Sequence, residues 1–285
     1  MKHARLYRSK NFRKGMLFAT CLFGAYLVLV MVFRPSHERN WELGQERLPR
    51  FAFQDERLTI ENFRNFDWKG EGIANVRYET RAFDLRDIHS VDVFISHFDT
   101  FEGLAHIFLS FGFSDGRHIV ISMETRREVG ESFSPILGVL RQFEIIYIVG
   151  SEQDIVGLRT DIRDERVYLY RTIASPLQAR ELLLKIAEDV NGIYEEPRMY
   201  NTLTHNCTNA LTRRVEDISE VKFPLTWKTL LPGYFDEVLF GMGLVVPVGD
   251  FQETKDRSLI DNIRVHRQSP RYESDLREVI GEVTW

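Results

Sequence analysis

The chain has 285 residues, 44% hydrophobic and 28% charged, with a formal net charge of −5 at neutral pH. Those values exclude a disordered or fibrous protein, and the mild acidity gives no basis for binding nucleic acid. Aromatic residues make up 12%, 21 of the residues being Phe, which suits a β-rich core or a lipid-handling groove, with core the default for most of them.

In chain order, residues 1–14 carry Lys2, Arg5, Arg8, Lys10, Arg13 and Lys14 and no acid. From Gly15 to Phe33 the sequence is uncharged. At 1.5 Å per residue this run spans roughly 28 Å, close to the hydrocarbon thickness of a bilayer. The basic flank predicts a cytoplasmic N-terminus with the remainder outside. A cleaved signal peptide would have a shorter apolar region and an Ala-x-Ala-like site. Val-Met-Val-Phe-Arg-Pro offers no such site. The predicted organisation is a cytoplasmic basic segment (1–14), a transmembrane anchor (15–33), a polar linker (34–57) and an extracytoplasmic domain (58–285).

Within that domain, residues 61–66 read as a turn, and 76–83 and 88–98 as strands with alternating faces. Ala105–Phe113 and Arg117–Glu124 then flank Ser114-Asp115-Gly116, and Asp-Gly is the strongest short hairpin signal. A three-residue loop with Gly116 left-handed pairs Phe113 with Arg117 and sets His106 opposite Glu124, with Cβ atoms ~5 Å apart. A two-residue turn would bring Thr125 there instead. In the first register His118 shares a face with His106 but lies about 20 Å along the strand. Further strands are expected over 145–150 and 167–170. Pro176 opens a helix with apolar residues at helical spacing. A loop over 191–206 leads to Cys207, and a short apolar helix over 234–241 precedes a polar, weakly patterned tail.

Cys207 is the sole cysteine outside the hydrophobic segment, which holds Cys21. It follows Asn206, a helix-capping residue, and a thiol at a helix start is biased toward thiolate by the backbone dipole. A thiol catalyst also needs a base, a group that orients the base, and donors for an oxyanion. His106, Glu124, and the first N–H groups of the helix with Asn206 are the candidates. His205 is a rival base, although it stands only two residues before the thiol. Arg126 could bind substrate, and solvated surface charge is the ordinary alternative. One cysteine and scattered histidines lack the paired spacing of a zinc site, so no metal or cofactor is expected.

Three stretches, AHIFLSFGFSDGRHIVISMETRRE, ESFSPILGVLRQFEIIYIVG and YNTLTHNCTNAL, together resemble the Lnb-like periplasmic domain family. That family includes lipoprotein intramolecular transacylases. The order of a histidine strand followed by an Asn-Cys helix also resembles circularly permuted NlpC-type papain-like folds, including the lecithin retinol acyltransferase group. The resemblance implies Cys207 as nucleophile, His106 as base and Glu124 as the third member. The expected fold is therefore α+β, a permuted papain-like domain with an antiparallel sheet behind one transmembrane helix. The expected activity is acyl transfer or hydrolysis through a Cys207 thioester. Its expected partners are a membrane lipid or lipoprotein substrate and the cytoplasmic membrane. A cell-wall amidase or peptidase using the same residues, and a non-catalytic envelope binding module, stand as alternatives.

Overall fold

A computed structural model describes residues 2–32, 34–69, 72–260 and 267–280. Helix α1 (Lys2–Val32) is followed by strands β1 (Arg50–Gln54), β2 (Arg57–Arg64), β3 (Asp67–Lys69), β4 (Gly72–Asn75), β5 (Tyr78–Asp84), β6 (Ile88–His97), β7 (Ala105–Phe113) and β8 (His118–Arg126). Helix α2 (Pro135–Val139), strand β9 (Glu144–Gly150), helix α3 (Glu152–Gly157) and strand β10 (Arg166–Arg171) come next. They lead to helices α4 (Pro176–Glu195), α5 (Cys207–Ile218), α6 (Trp227–Leu230), α7 (Phe235–Gly241) and α8 (Phe251–Ser258), strand β11 (Leu259–Ile260) and helix α9 (Tyr272–Val279).

The described strands form a nine-stranded sheet in the order β1-β2-β9-β8-β7-β6-β10-β11, with β5 also on β2, and β3–β4 stand apart as a pair. The pairing is antiparallel except where β2 meets β9 at Arg64 and Gly150. The sheet is thus mixed at one junction rather than wholly antiparallel. Alternation sorts its centre into two apolar faces. Ile95, Ile107, Leu109, Ile121, Met123 and Tyr147 pack with α4 and α5 through Leu183, Ile186 and Leu211. Phe94, Phe108, Val120 and Ile146 pack on the other side with α3 and α9 through Ile155, Tyr272 and Leu276.

The hairpin adopts the three-residue loop. Phe113 N–H donates to Arg117 O at 3.0 Å, Gly116 N–H closes onto Phe113 O, and Gly116 has φ +83°. A Cβ at this position meets open space, so Gly116→Ala acts through backbone strain alone. It is expected to lower stability by about 1 kcal/mol, read as a reduced denaturation midpoint at unchanged slope.

Four stretches depart from the sequence reading. Residues 34–57 are not a free linker. Trp41 bridges Glu128, Gln45 is buried, and Phe51 of β1 enters the main core. Residues 61–64 continue strand β2 instead of turning. A bulge between Ile60 and Phe63, with Asn62 at φ +54°, breaks the alternation that would have marked a strand. The polar tail holds α9, whose Tyr272, Leu276 and Ile280 recur every fourth residue and are buried. Finally, among the described residues no helix is long and apolar enough to cross a membrane. The described part of the expected span belongs to α1, where Leu17, Phe18, Leu22, Phe23 and Val28 are exposed, and Phe33 lies outside the described residues.

Candidate active site

Cys207 is the first residue of α5 because Asn206 caps it. The Asn206 backbone is extended, and its side-chain oxygen accepts from Asn209 N–H at 2.8 Å. The thiol reaches the seam between β7 and β8. The Cα register runs from Gly112–His118 to Leu109–Ile121 and stops there, whereas β7 stays on β6 as far as Ala105 and β8 stays on β9 as far as Arg126. Phe113 N–H points at β8, and counting by twos puts Ile107 N–H on the same side, beyond the last rung. The ladder leaves that donor to the cysteine. Burial raises the Cys207 pKa, and Ile107 N–H, the Thr208 hydroxyl and the N–H groups of Thr208 and Cys207 pull the other way without prevailing. The resting group is therefore a thiol surrounded by donors suited to a thiolate or an oxyanion.

His106 and Glu124 stand at opposite positions three residues past the last rung of the ladder, as the hairpin register requires. Their side chains do not bond directly. His106 Nε2 meets Ser122 Oγ at 2.7 Å, Ser122 Oγ donates to Glu124 Oε1 at 2.9 Å, and His106 to Glu124 spans 4.0 Å. Arg159, carried on a π-helical turn (Leu158–Ile162) after α3, donates to Glu124 Oε1 at 2.8 Å and lies over the Phe108 ring. Burial and the Arg159 charge lower the His106 pKa to about 3, with Glu124 opposing. Burial alone would raise the Glu124 pKa, but Arg159, His106 and Arg64 together hold it well below the carboxylate range. The imidazole is neutral and the carboxylate ionised near pH 7.

The faces matter here. His106 shares a face with Phe108, whose ring it stacks on, and with Ser122. Cys207 packs with the Ile107 side of the sheet. Among the described residues no hydrogen bond or ion pair joins Cys207 to His106. The structure thus brings His106 and Glu124 together through Ser122, and sets Cys207 beside the same stretch of β7 but across the sheet. Ser122 and Arg159 were absent from the sequence reading. Ser122 was accessible to it, being two residues from Glu124 on the same face, whereas nothing in the sequence marks Arg159.

Of the remaining candidates, Asn206 is committed to structure, since its amide nitrogen donates to Thr202 O while its oxygen caps α5. The oxyanion donors on hand are backbone groups instead. Arg126, the possible substrate ligand, is engaged within the domain. It is 2% exposed, donates to Gln45 O and Glu46 O, and lies 4.1 Å from the Trp41 ring centroid, pinning residues 34–57 to the domain. His205 is exposed and meets Thr204 Oγ1 at 2.9 Å. His118 lies at the far end of β8.

A cavity of about 30 Å³ adjoins Cys207, with Ile107, Leu109, Ile121, Met123 and Ile186 among its walls. A second, of about 140 Å³, shares Met123, Tyr147, Ala210 and Arg214 with it and continues toward Arg198, Arg213 and His205. The first holds no more than a water or a methyl group, so any larger group needs α4 and α5 to part. Together they outline an apolar path from the thiol to a basic mouth.

A family model described as the Lnb N-terminal periplasmic domain matches residues 74–233. That span covers His106, Glu124 and Cys207. No curated protein and no solved structure matches the chain.

Proposed function

This chain belongs to the Lnb N-terminal periplasmic domain family, and on that footing we propose that it is an extracytoplasmic, membrane-associated thiol enzyme that moves or hydrolyses an acyl group of a lipid or lipoprotein. One observation carries the reading. Where the β7–β8 ladder ends, the Cys207 thiol, the freed Ile107 N–H and the His106–Ser122–Glu124 chain all occur at the same level of the sheet. The Cys207 sulfur attacks the ester carbonyl carbon while His106 takes the thiol proton. Ile107 N–H and Cys207 N–H donate to the oxyanion. Collapse of the intermediate expels the alkoxide, which His106 protonates, and leaves a Cys207 thioester. An amine or water then resolves the thioester. Glu124, through Ser122, steadies the imidazolium that forms on the way.

His106 must leave Ser122 and turn through the opening between β7 and β8 to reach the sulfur. The resting protein is accordingly an unactivated pair, thiol and neutral imidazole, and substrate entry between α4 and α5 assembles the site. The apolar walls beside Cys207 favour an acyl chain over a cell-wall peptide. The direct test incubates the full chain in vesicles with a radiolabelled acyl donor. A hydroxylamine-labile label on Cys207 is the expected result, and its absence overturns the reading.

Membrane association rests on α1, whose Leu17, Phe18, Leu22, Phe23 and Val28 side chains are exposed and follow a basic N-terminal segment. The paired change Leu22→Arg with Leu27→Arg puts two charges in the middle of this surface, each costing ~3 kcal/mol in a bilayer. The wild-type chain is expected to float with vesicles in a density gradient and the paired variant to stay at the bottom. Equal flotation of both would remove α1 as the anchor.

A further inference from the structure

We propose that the domain docks on the bilayer through the apolar surface of α2 and the loop after Tyr200, with Arg141, Arg198 and Arg213 set against lipid phosphates. Docked in this way, the mouth of the path to Cys207 opens into lipid. The proposal rests on the membrane association of α1 and makes no use of the thiol chemistry. Helix α2 is capped by Ser134 and turns Gly138 inward, where a Cβ would run into Thr202 Oγ1 and the Tyr200 ring. Away from that contact stand Ile136, Leu137 and Leu140, all exposed, Ile136 by 73%. The neighbouring loop is tied to α2, since Thr202 Oγ1 donates to Pro135 O at 2.9 Å and Asn201 Nδ2 to Val139 O at 3.2 Å. This loop holds Leu203, which is 60% exposed. Four large aliphatic side chains on two joined segments are left to water, and a cluster of this kind marks an interaction surface.

Charge and the tether select the occupant. The chain is net negative, yet Arg141, Arg198 and Arg213 make no ion pair with a carboxylate among the described residues. Arg213 donates to Thr204 O beside Leu203, and Arg141 Nε is buried without a partner. The three cations converge on His205, whose pKa is lowered by burial and then by Arg213, Arg141 and Arg198, with no carboxylate opposing them. Asp189, the acid at the same mouth, is held by Arg214. Apolar side chains beside unpaired guanidiniums match acyl chains beneath anionic headgroups. The tether brings this side of the domain to the bilayer. Ser36 N–H donates to Glu144 Oε1 at 2.8 Å, Glu144 bridges Met199, and Ile145 N–H donates to Arg198 O. The chain thus leaves α1 at Val32 and joins the domain beside Arg198 within about 14 Å of extended backbone. A few interfacial side chains bind lipid weakly by themselves, so the surface works on a chain that α1 already holds at high effective concentration.

The test attaches an environment-sensitive fluorophore through Leu203→Cys in the full chain carrying Cys21→Ser and Cys207→Ser. The protein is reconstituted in vesicles of phosphatidylcholine with phosphatidylglycerol and recovered by flotation. Nitroxide-bearing phospholipid should quench this probe at a depth of ~5–10 Å, and aqueous iodide should not. A control probe is attached through Leu177→Cys, an exposed position about 22 Å along α4 from Gly192, the residue against which Arg198 packs. Iodide alone should quench it. Arg141→Gln, Arg198→Gln and Arg213→Gln combined should return the Leu203 probe toward water, because each arginine is worth about fivefold in binding an anionic surface. If the chain floats and the two probes behave alike, the docking surface is overturned while α1 stands as the anchor. A chain that does not float removes the anchor and this surface with it. Neither result bears on the thiol chemistry, which the acyl label on Cys207 tests separately. Blue-shifted emission without lipid quenching means that a second copy or another protein covers the surface, and it overturns the proposal. So does a triple arginine variant that docks as the parent does.

Discussion

Replacing Cys207 with Ser is expected to lower acyl transfer by at least ~10³-fold and to abolish the hydroxylamine-labile acyl label. The fold should tolerate the change, with stability within about 1 kcal/mol of the parent. The helix start does not depend on the sulfur, since Asn206 supplies the cap. Cys207 sits at the margin of the large core rather than within it. Activity and Tm measured on the same preparation separate the two effects. An acyl label that persists in the Cys207→Ser variant and resists hydroxylamine would indicate an oxygen ester on the introduced hydroxyl or on another one, and would replace the thioester mechanism. Because burial raises the thiol pKa, iodoacetamide should alkylate the resting protein slowly at neutral pH. Faster alkylation in the presence of acyl ligand is the expected sign that substrate assembles the site.

The helix start and the hairpin register were legible in the sequence because both are local. Asn206 before Cys207 is a cap with its partner three residues on, and Asp115-Gly116 admits few loop geometries. The opposition of His106 and Glu124 followed from that loop. What escaped depends on contacts between distant segments. Alternation already assigns His106 and Ile107 to opposite faces, but only the docking of α5 says which face receives the thiol. The end of the β7–β8 ladder is equally invisible locally, since Ile121 and Met123 on β8 carry on the same alternation past the last rung. Residues 34–57 looked unstructured because Arg126, Trp41 and Gln45 hold them, a guanidinium, an indole and an amide rather than an apolar repeat. Arg159 orders the site from a π turn, a local irregularity with no compositional mark.

Acid should destabilise this protein through His106 more than through a surface histidine, and the His106→Gln variant should lose that sensitivity. The folded state holds the His106 pKa at about 3, against 6.5 for the free side chain, chiefly through burial and secondly through Arg159. Between those two pH values the unfolded chain binds a proton that the folded chain refuses. Stability therefore falls as pH drops from 6.5 toward 3, by less than the limit of about 1.4 kcal/mol per unit that a fully buried group would give, since the His106 side chain is 16% exposed. The lowered Glu124 pKa acts in the same direction at lower pH, because its folded-state charge is lost only below the ordinary carboxylate range. His37, His89, His97 and His205, also lowered, leave a residual slope in any single variant. Glutamine does not titrate, and its amide can still meet Ser122. Urea midpoints from pH 7 to pH 4 should therefore fall less steeply in His106→Gln than in the parent. Parallel curves would mean that His106 titrates alike in the folded and unfolded chains, and the folded protein would then not be holding its imidazole neutral. The same comparison bears on catalysis. A histidine that resists protonation this strongly accepts the thiol proton only once it has turned away from Arg159, so the variant that flattens the acid slope should also lose most acyl transfer.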